Sequence, residues 1–151
     1  MDGLLFYLLI GTIIFALLIL LTVFGPFKGS VPGDAGPASS HIQELNPCPD
    51  SPNCTHTVRH LDGAVLDLLE RAEQQLHKMG AESVTRNDDS QRIDAVFRIP
   101  LFGFRDDVIL FAEELPNQPG TRLHIRSASR DGYGDVGVNR RRVRKIVSSI
   151  Q

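Results

Sequence analysis

Residues 93–130 read IDAVFRIPLFGFRDDVILFAEELPNQPGTRLHIRSASR, and the fold turns on how this run is parsed. In its first part Ile93, Ala95, Phe97 and Ile99 fall on one side, with Asp94 and Arg98 on the other. Side chains of a strand alternate between faces, so this spacing predicts a strand over Ile93–Ile99 with one face buried. Asp106–Leu115 has a continuous apolar centre, Val108–Ala112, and reads as a second strand. Arg122–Arg130, which sets Leu123 and Ile125 against Arg122, His124 and Arg126, reads as a third. The breaks at Pro100–Gly103 and Asn117–Gly120 carry Gly and Pro and are short enough for hairpins. Upstream, Ala81–Asn87 is a weaker strand, separated by the break Asn87–Ser90.

Helices flank these strands. Val65, Leu68, Leu69, Ala72, Leu76 and Met79 recur at i, i+3, i+4, i+7, i+11 and i+14, one apolar stripe that predicts a helix over Leu61–Met79. Asp62 suits its N-cap, and Gly80 follows His77 and Lys78 at the position favoured after a helix end. The stripe is core and not a cofactor box. A last helix over Asn139–Ile150 sets Val143, Ile146, Val147 and Ile150 against a basic side. The order α-β-β-β-β-α with short connections predicts an α+β, two-layer domain over residues 46–151: an antiparallel β-meander covered by two helices.

The rest of the 151-residue chain is of a different kind. Leu4–Phe24 holds 18 apolar residues of 21 and no charge. As a helix it would reach roughly 31 Å, about the thickness of a bilayer's hydrocarbon core. A cleaved signal peptide would have a basic start, a shorter apolar run and a small-residue cleavage site. Met1-Asp2-Gly3 and Phe24-Gly25-Pro26-Phe27 supply none of these, and no Cys ends the run as in a lipoprotein. An uncleaved N-terminal transmembrane helix, residues 4–24, is therefore expected, with the bilayer as its partner. Residues 25–45 follow as a linker; Gly25–Ser40 contains four Gly, three Pro and three Ser, the composition of a flexible tether. A net charge of −2 argues against a nucleic-acid partner.

Asn46-Pro47-Cys48-Pro49-Asp50-Ser51-Pro52-Asn53-Cys54 is a stretch stiffened by three prolines. Two chemistries suit it. Cys48 and Cys54 can close a disulfide ring of about seven residues, which the chain-entropy relation values at roughly 2.4 kcal/mol. Alternatively, Cys48, Cys54, His56 and His60 can form a Cys2His2 zinc set, although five residues between the cysteines exceed the usual two to four. The disulfide is the preferred reading and no metal is assigned. A disulfide needs an oxidising compartment, which places the domain outside the cytoplasm. Lys28 alone pulls the other way under positive-inside counting, and it carries less weight.

The densest polar stretch runs from Arg126 to Arg142, from a strand end through a glycine-rich turn into the last helix. Half of the 16 basic residues lie in Arg122–Lys145. Arg126, Ser127, Ser129, Arg130, Asp135, Asn139 and Arg140 are the candidate ligand-binding residues, because arginines and a helix N-terminus together suit a carboxylate or phosphate. The competing reading is internal: Arg126 and Arg130 pair with Asp106, Asp107 or Asp135, Asn139 caps the last helix, and Arg140–Lys145 is its solvated face. The glycines fit neither a P-loop nor a dinucleotide fingerprint. No catalytic residue is assigned. Asp106 and Asp107 would point to opposite faces, as would His124 and the Ser127/Ser129 pair. Leu101-Phe102-Gly103-Phe104 is an apolar hairpin tip, more often tucked in than exposed; exposed, it would touch a membrane or a partner.

Taken together, Cys48-Pro49-Asp50-Ser51-Pro52-Asn53-Cys54, Phe104-Arg105-Asp106-Asp107-Val108, Arg126-Ser127-Ala128-Ser129-Arg130 and Gly134-Asp135-Val136-Gly137-Val138-Asn139-Arg140 resemble the domain-of-unknown-function 1499 family, from about Leu45 to the C-terminus. The resemblance marks Cys48, Cys54, Asp106, Asp107, Arg126, Ser127, Ser129, Arg130, Asp135, Asn139 and Arg140 as motif positions without giving them a role. It implies bacterial or plastid relatives, often behind a membrane segment or a signal peptide, and no settled activity. Thr55-His56-Thr57 departs from the Val and Ser usual after the second cysteine, so the histidines are not family features and the zinc reading weakens. The function expected is a membrane-anchored, non-enzymatic extracytoplasmic domain that binds a protein partner or an anionic ligand, as an envelope accessory or assembly factor, without a cofactor. The alternative is an enzyme with a site around Arg126, Ser127, Arg130, Asp135 and Arg140.

Overall fold

The computed structural model describes residues 7, 9–16, 45–99 and 103–151. Seven elements make up the domain: β1 (Cys54–Leu61), α1 (Val65–Lys78), β2 (Ser83–Asn87), β3 (Arg92–Arg98), β4 (Arg105–Glu114), β5 (Thr121–Ser129) and α2 (Val138–Ile150). The strands form one five-stranded sheet in the order β1-β5-β4-β3-β2, antiparallel throughout. The α+β class and the meander from β2 to β5 stand as expected, with boundaries displaced by one or two residues. The expected α-β-β-β-β-α order needs one correction: a strand, β1, precedes the first helix. Its Thr55, Thr57, Val58 and alternating burial suit a pleated edge. The cysteines and histidines of this segment carry the loop and metal signals that mask this strand pattern in the sequence.

Beginning β1 at Cys54 moves the helix start. Leu61 ends the strand, and α1 begins at Val65 with Ala64 as N-cap and no side-chain cap, so Asp62 does not cap it. The other end follows the sequence closely. Gly80 takes φ +83°, its N–H donates to His77 O, and Ala81 N–H donates to Leu76 O, which closes the left-handed helix terminus that glycine favours. From β1, α1 carries the chain across the sheet to β2 on the far edge.

Both helices pack on one face of the sheet. Leu68, Leu69, Ala72 and Leu76 of α1 and Val143, Ile146, Val147 and Ile150 of α2 meet Ile93, Ala95 and Phe97 of β3, Val108, Leu110 and Ala112 of β4, and Leu123 and Ile125 of β5. Fully burying each of the larger of these side chains, Val, Leu, Ile or Phe, is worth about 1.5–3 kcal/mol. The apolar stripes read from the sequence are this core. Among the described residues no helix is long and apolar enough to cross a membrane. Residues 9–16 are helical and exposed, and most of the expected span 4–24 and of the linker lies outside the described residues.

Candidate functional site

The family-like motifs come together at the end of the sheet where β1 and β4 begin, β5 finishes and α2 starts. Cys48 and Cys54 are joined by a disulfide, Cα–Cα 5.5 Å, which pins the proline-rich loop to the first residue of β1. Their sulfurs are therefore not available to a metal, and His56 and His60 lie on β1. Within the loop, Asn53 Nδ2 donates to Gly132 O (2.6 Å), and Asn53 O accepts from Ser129 N (3.0 Å).

Asn139 and Arg142 are the hubs of what lies beneath. Asn139 is fully buried on the first turn of α2, where its Nδ2 donates to Asn53 O (2.9 Å) and Ser129 Oγ (3.0 Å). Its Oδ1 accepts from Ser127 Oγ (2.5 Å) and Arg142 Nη1 (2.6 Å). Arg142 Nη1 also reaches Ser127 Oγ (3.0 Å), and its Nη2 donates to Asp106 Oδ2 (2.7 Å). Its guanidinium lies 4.5 Å over the Phe97 ring, and the two side chains of the ion pair are 6% and 2% exposed. Asp135 closes the top: Oδ1 accepts from Gly137 N (2.8 Å) and Oδ2 from Asn139 N (2.6 Å), satisfying donors at the start of α2. Buried polar groups are tolerated when each is paired, and here each polar side chain named finds an internal partner.

This placement revises several expectations. Asn139 is not the cap of α2; Gly137 holds that position at φ +73°, and Asp135 supplies the capping oxygens. The basic run Arg140–Lys145 is not wholly solvated, since Arg142 turns inward. Arg142 closes an Arg-Arg-Arg run that reads as solvated, yet its position three after Asn139 and four before Ile146 lies on the apolar stripe, and that spacing is the signal for its burial. Asn53 carried no signal beyond its motif.

The seven candidate ligand residues do not share one cleft. Ser127, Ser129, Asp135 and Asn139 belong to the network just described. Arg126 sits on the opposite face of β5, where strand alternation sends it. Arg130 pairs with Asp107 in two-pronged fashion (Nη2–Oδ1 2.7 Å, Nε–Oδ2 3.0 Å), with both side chains nearly half exposed. The side chains of Arg126 and Arg140 form no hydrogen bond or ion pair among the described residues, and the Nε of each is buried without a partner. Burial holds the Arg126 guanidinium below its ordinary value, and Asp107 opposes this.

Around Arg126, the sheet face without helices carries its own cluster. His124, 1% exposed, stacks on His56 of β1 at 5.9 Å between centroids and lies 6.0 Å from the Phe111 ring. Its Nε2 is 3.5 Å from Glu113 Oε1 without forming a hydrogen bond, while Arg122 Nη1 donates to that carboxylate at 3.0 Å. Desolvation pushes His124 and His56 below the usual histidine value; Glu113 opposes the effect on His124, whereas His124 and Arg126 add to it on His56. Among the described residues no group of three or more His, Cys, Asp or Glu side chains is placed to hold a metal ion.

Cavities lined by described residues lie at both ends of the sheet. One, about 180 Å³, opens above the buried network and is lined by Ile99, Phe104, Asp106, Ser129, Val136 and Val138, among others. At its rim Val136 takes φ +55°, a conformation costly to a β-branched residue. Phe104, the last residue of the apolar tip, is 47% exposed, and Tyr133 nearby is 73% exposed; residues 101 and 102 of the tip lie outside the described residues. The other cavity, about 360 Å³, lies at the opposite end between Gly63, Leu115 and Gly120 and contains none of the candidate residues. No curated protein and no solved structure matches the chain. Over residues 44–150, spanning the whole sheet, both cysteines and the buried network, the sequence matches the protein family of unknown function DUF1499, and the chain belongs to that family.

Proposed function

We propose that this protein is a non-enzymatic domain held at a membrane by residues 4–24, on the extracytoplasmic side, that presents its helix-free sheet face to a protein partner in the envelope. The observation that carries this reading is how the arginines divide. Arg142, Arg130 and Arg122 are spent on Asp106, Asp107 and Glu113, whereas Arg126, beside His56 and His124, has no bonded carboxylate. An acidic side chain from outside would complete it through a two-pronged contact. The Ser127 hydroxyl is locked between Asn139 and Arg142, an arrangement suited to holding α2 on the sheet and not to attacking a substrate. The Cys48–Cys54 disulfide supports an oxidising compartment, and the uncharged 21-residue run supports the anchor.

Two observations on the full chain test this. In carbonate-washed membranes the protein should stay in the pellet, and a C-terminal tag should be cut by protease added outside spheroplasts, whose inner membrane is intact and outer surface stripped; a soluble protein or a protected tag contradicts the reading. Arg126→Ala should then leave the melting temperature unchanged and lose a co-purified partner that the unaltered protein retains. Unfolding of R126A, or retention of every partner, would remove that face from consideration.

A further inference from the structure

We infer that the outer edge of β1 takes up an extended segment of the partner as an added strand, with carboxylates of that segment opposite His56 and His60 and an apolar residue opposite Val58. This rests on the partner-binding reading above and deepens it by naming what the partner offers. The first observation is that the edge is long and regular. β1 is an end strand of the sheet, and Cys54–Leu61 pair with Ala128–Thr121 residue for residue, without a bulge or a proline. Natural sheets usually blunt such an edge by shortening or bulging it. The opposite edge strand, β2, has five residues against the eight of β1.

The direction of the backbone groups follows from the register. In an antiparallel pair, residues alternately turn their N–H and C=O toward the neighbour and away from it. Ser129 N donates to Asn53 O (3.0 Å), so Thr55, Thr57 and Arg59 face β5 as Asn53 does, and His56, Val58 and His60 face outward. Arg59 marks that outer edge: its Nη1 donates to Val58 O at 2.9 Å, a carbonyl that β5 does not use. A flexible side chain thus stands where the N–H of an added strand would donate. In strand addition main-chain bonds of this kind give affinity, and alternate side chains give specificity.

The second observation is charge. Cys54–Leu61 contains no acidic residue; Asp50 and Asp62 lie beyond its two ends. The side chains of His56, Val58 and His60 lie on the helix-free face, directly opposite Arg126, His124 and Arg122. Farther in, Glu113 is bonded to Arg122 and Asp107 to Arg130, while Arg59 and Arg126 have no ion pair among the described residues. His60 Nε2 accepts from Arg122 Nε at 3.4 Å, so the neutral ring carries its proton on Nδ1, which can donate to a carboxylate. A segment with acidic, apolar and acidic residues at alternate positions complements this row. A second copy does not, because its β1 would bring no carboxylate.

The probe is the peptide Ser-Glu-Thr-Val-Thr-Glu-Ser, blocked at both ends and titrated into the isotope-labelled, detergent-extracted full chain. The amides of His56, Val58 and His60 should shift and gain protection from hydrogen exchange, while Thr57, already in the ladder, gains none. Glutamine in place of both glutamates should weaken binding roughly tenfold, the loss of two charged cross-strand pairs. Val58→Pro removes an outward N–H, a change that edge strands tolerate; it should keep the parent's melting temperature and abolish binding. Should V58P unfold, the unaltered protein answers instead: N-methylation of the peptide's glutamates and valine abolishes binding, and N-methylation of its threonines does not. Peptide shifts confined to Arg126 and His124, or a partner lost by R126A but kept by V58P, overturn strand addition and leave the face reading standing. Absence of peptide binding overturns it too, and the face is then judged by R126A alone. Edge protection that grows with protein concentration, without peptide, assigns the edge to a second copy and also overturns it.

Discussion

Two polar regions lie back to back across β5, and they are built from similar residues with opposite outcomes. On the helix side, Ser127, Asn139, Arg142 and Asp106 bond one another and leave no buried side-chain nitrogen or oxygen without a partner. On the open side, His56, His124 and Arg126 are largely shielded from water and keep nitrogen atoms without partners. An unpaired buried polar atom costs about 1–3 kcal/mol, whereas a paired one is close to neutral or favourable. Polar groups that stabilise are thus separated by one strand from polar groups that the fold merely tolerates. Ser127 and Arg126 are neighbours in sequence and belong to different regions, so a contiguous motif here is not a contiguous site.

If this contrast is right, substitutions on the two sides behave differently. Arg142→Met leaves Asp106 buried without its counter-charge and should cost about 3–5 kcal/mol in denaturant unfolding. Asp135→Ala removes the acceptor for two N–H groups at the start of α2, and a loss of about 1 kcal/mol is expected. Arg126→Met on the open face should stay within about 1 kcal/mol of the parent, or gain slightly, because it removes an unpartnered Nε. A loss there as large as that of R142M would erase the contrast.

The smallest effect is a pH dependence. His56 and His124 are both held below the ordinary histidine value in the fold, so the unfolded chain takes up protons first as the pH falls. Their contribution is fully present above about pH 6.5 and is lost below it, down to the depressed folded values. Unfolding midpoints measured from neutral to mildly acid pH should fall, and His124→Phe should flatten that slope. A midpoint that rises on acidification would show the imidazoles to be paired.

Much of the architecture is legible in the sequence. The stripes of α1 and α2 and the alternation of β3 and β5 give correct elements because each buries one face and writes its period into the chain. β1 escaped because it is an edge strand whose helix-side positions are mostly Thr55, Thr57 and Arg59, a pattern with little apolar contrast. The site was half legible. Motif positions pointed to Ser127, Asp135 and Asn139, but which face of β5 and which turn of α2 they meet depends on the register with β4 and β1, and that register is set by the whole sheet. Arg142 lies on the α2 stripe and was obscured by its charge.

A double-mutant cycle on Asp106 and Arg142 in the detergent-extracted protein gives the sharpest decision on whether the family motif is architecture. Asp106→Asn and Arg142→Met should each lower the unfolding free energy, and the double variant should lose about 1–3 kcal/mol less than their sum, since the pair acts as one buried unit. Single variants that unfold at the parent's midpoint, with strictly additive effects, would contradict it and return the motif to a role in binding.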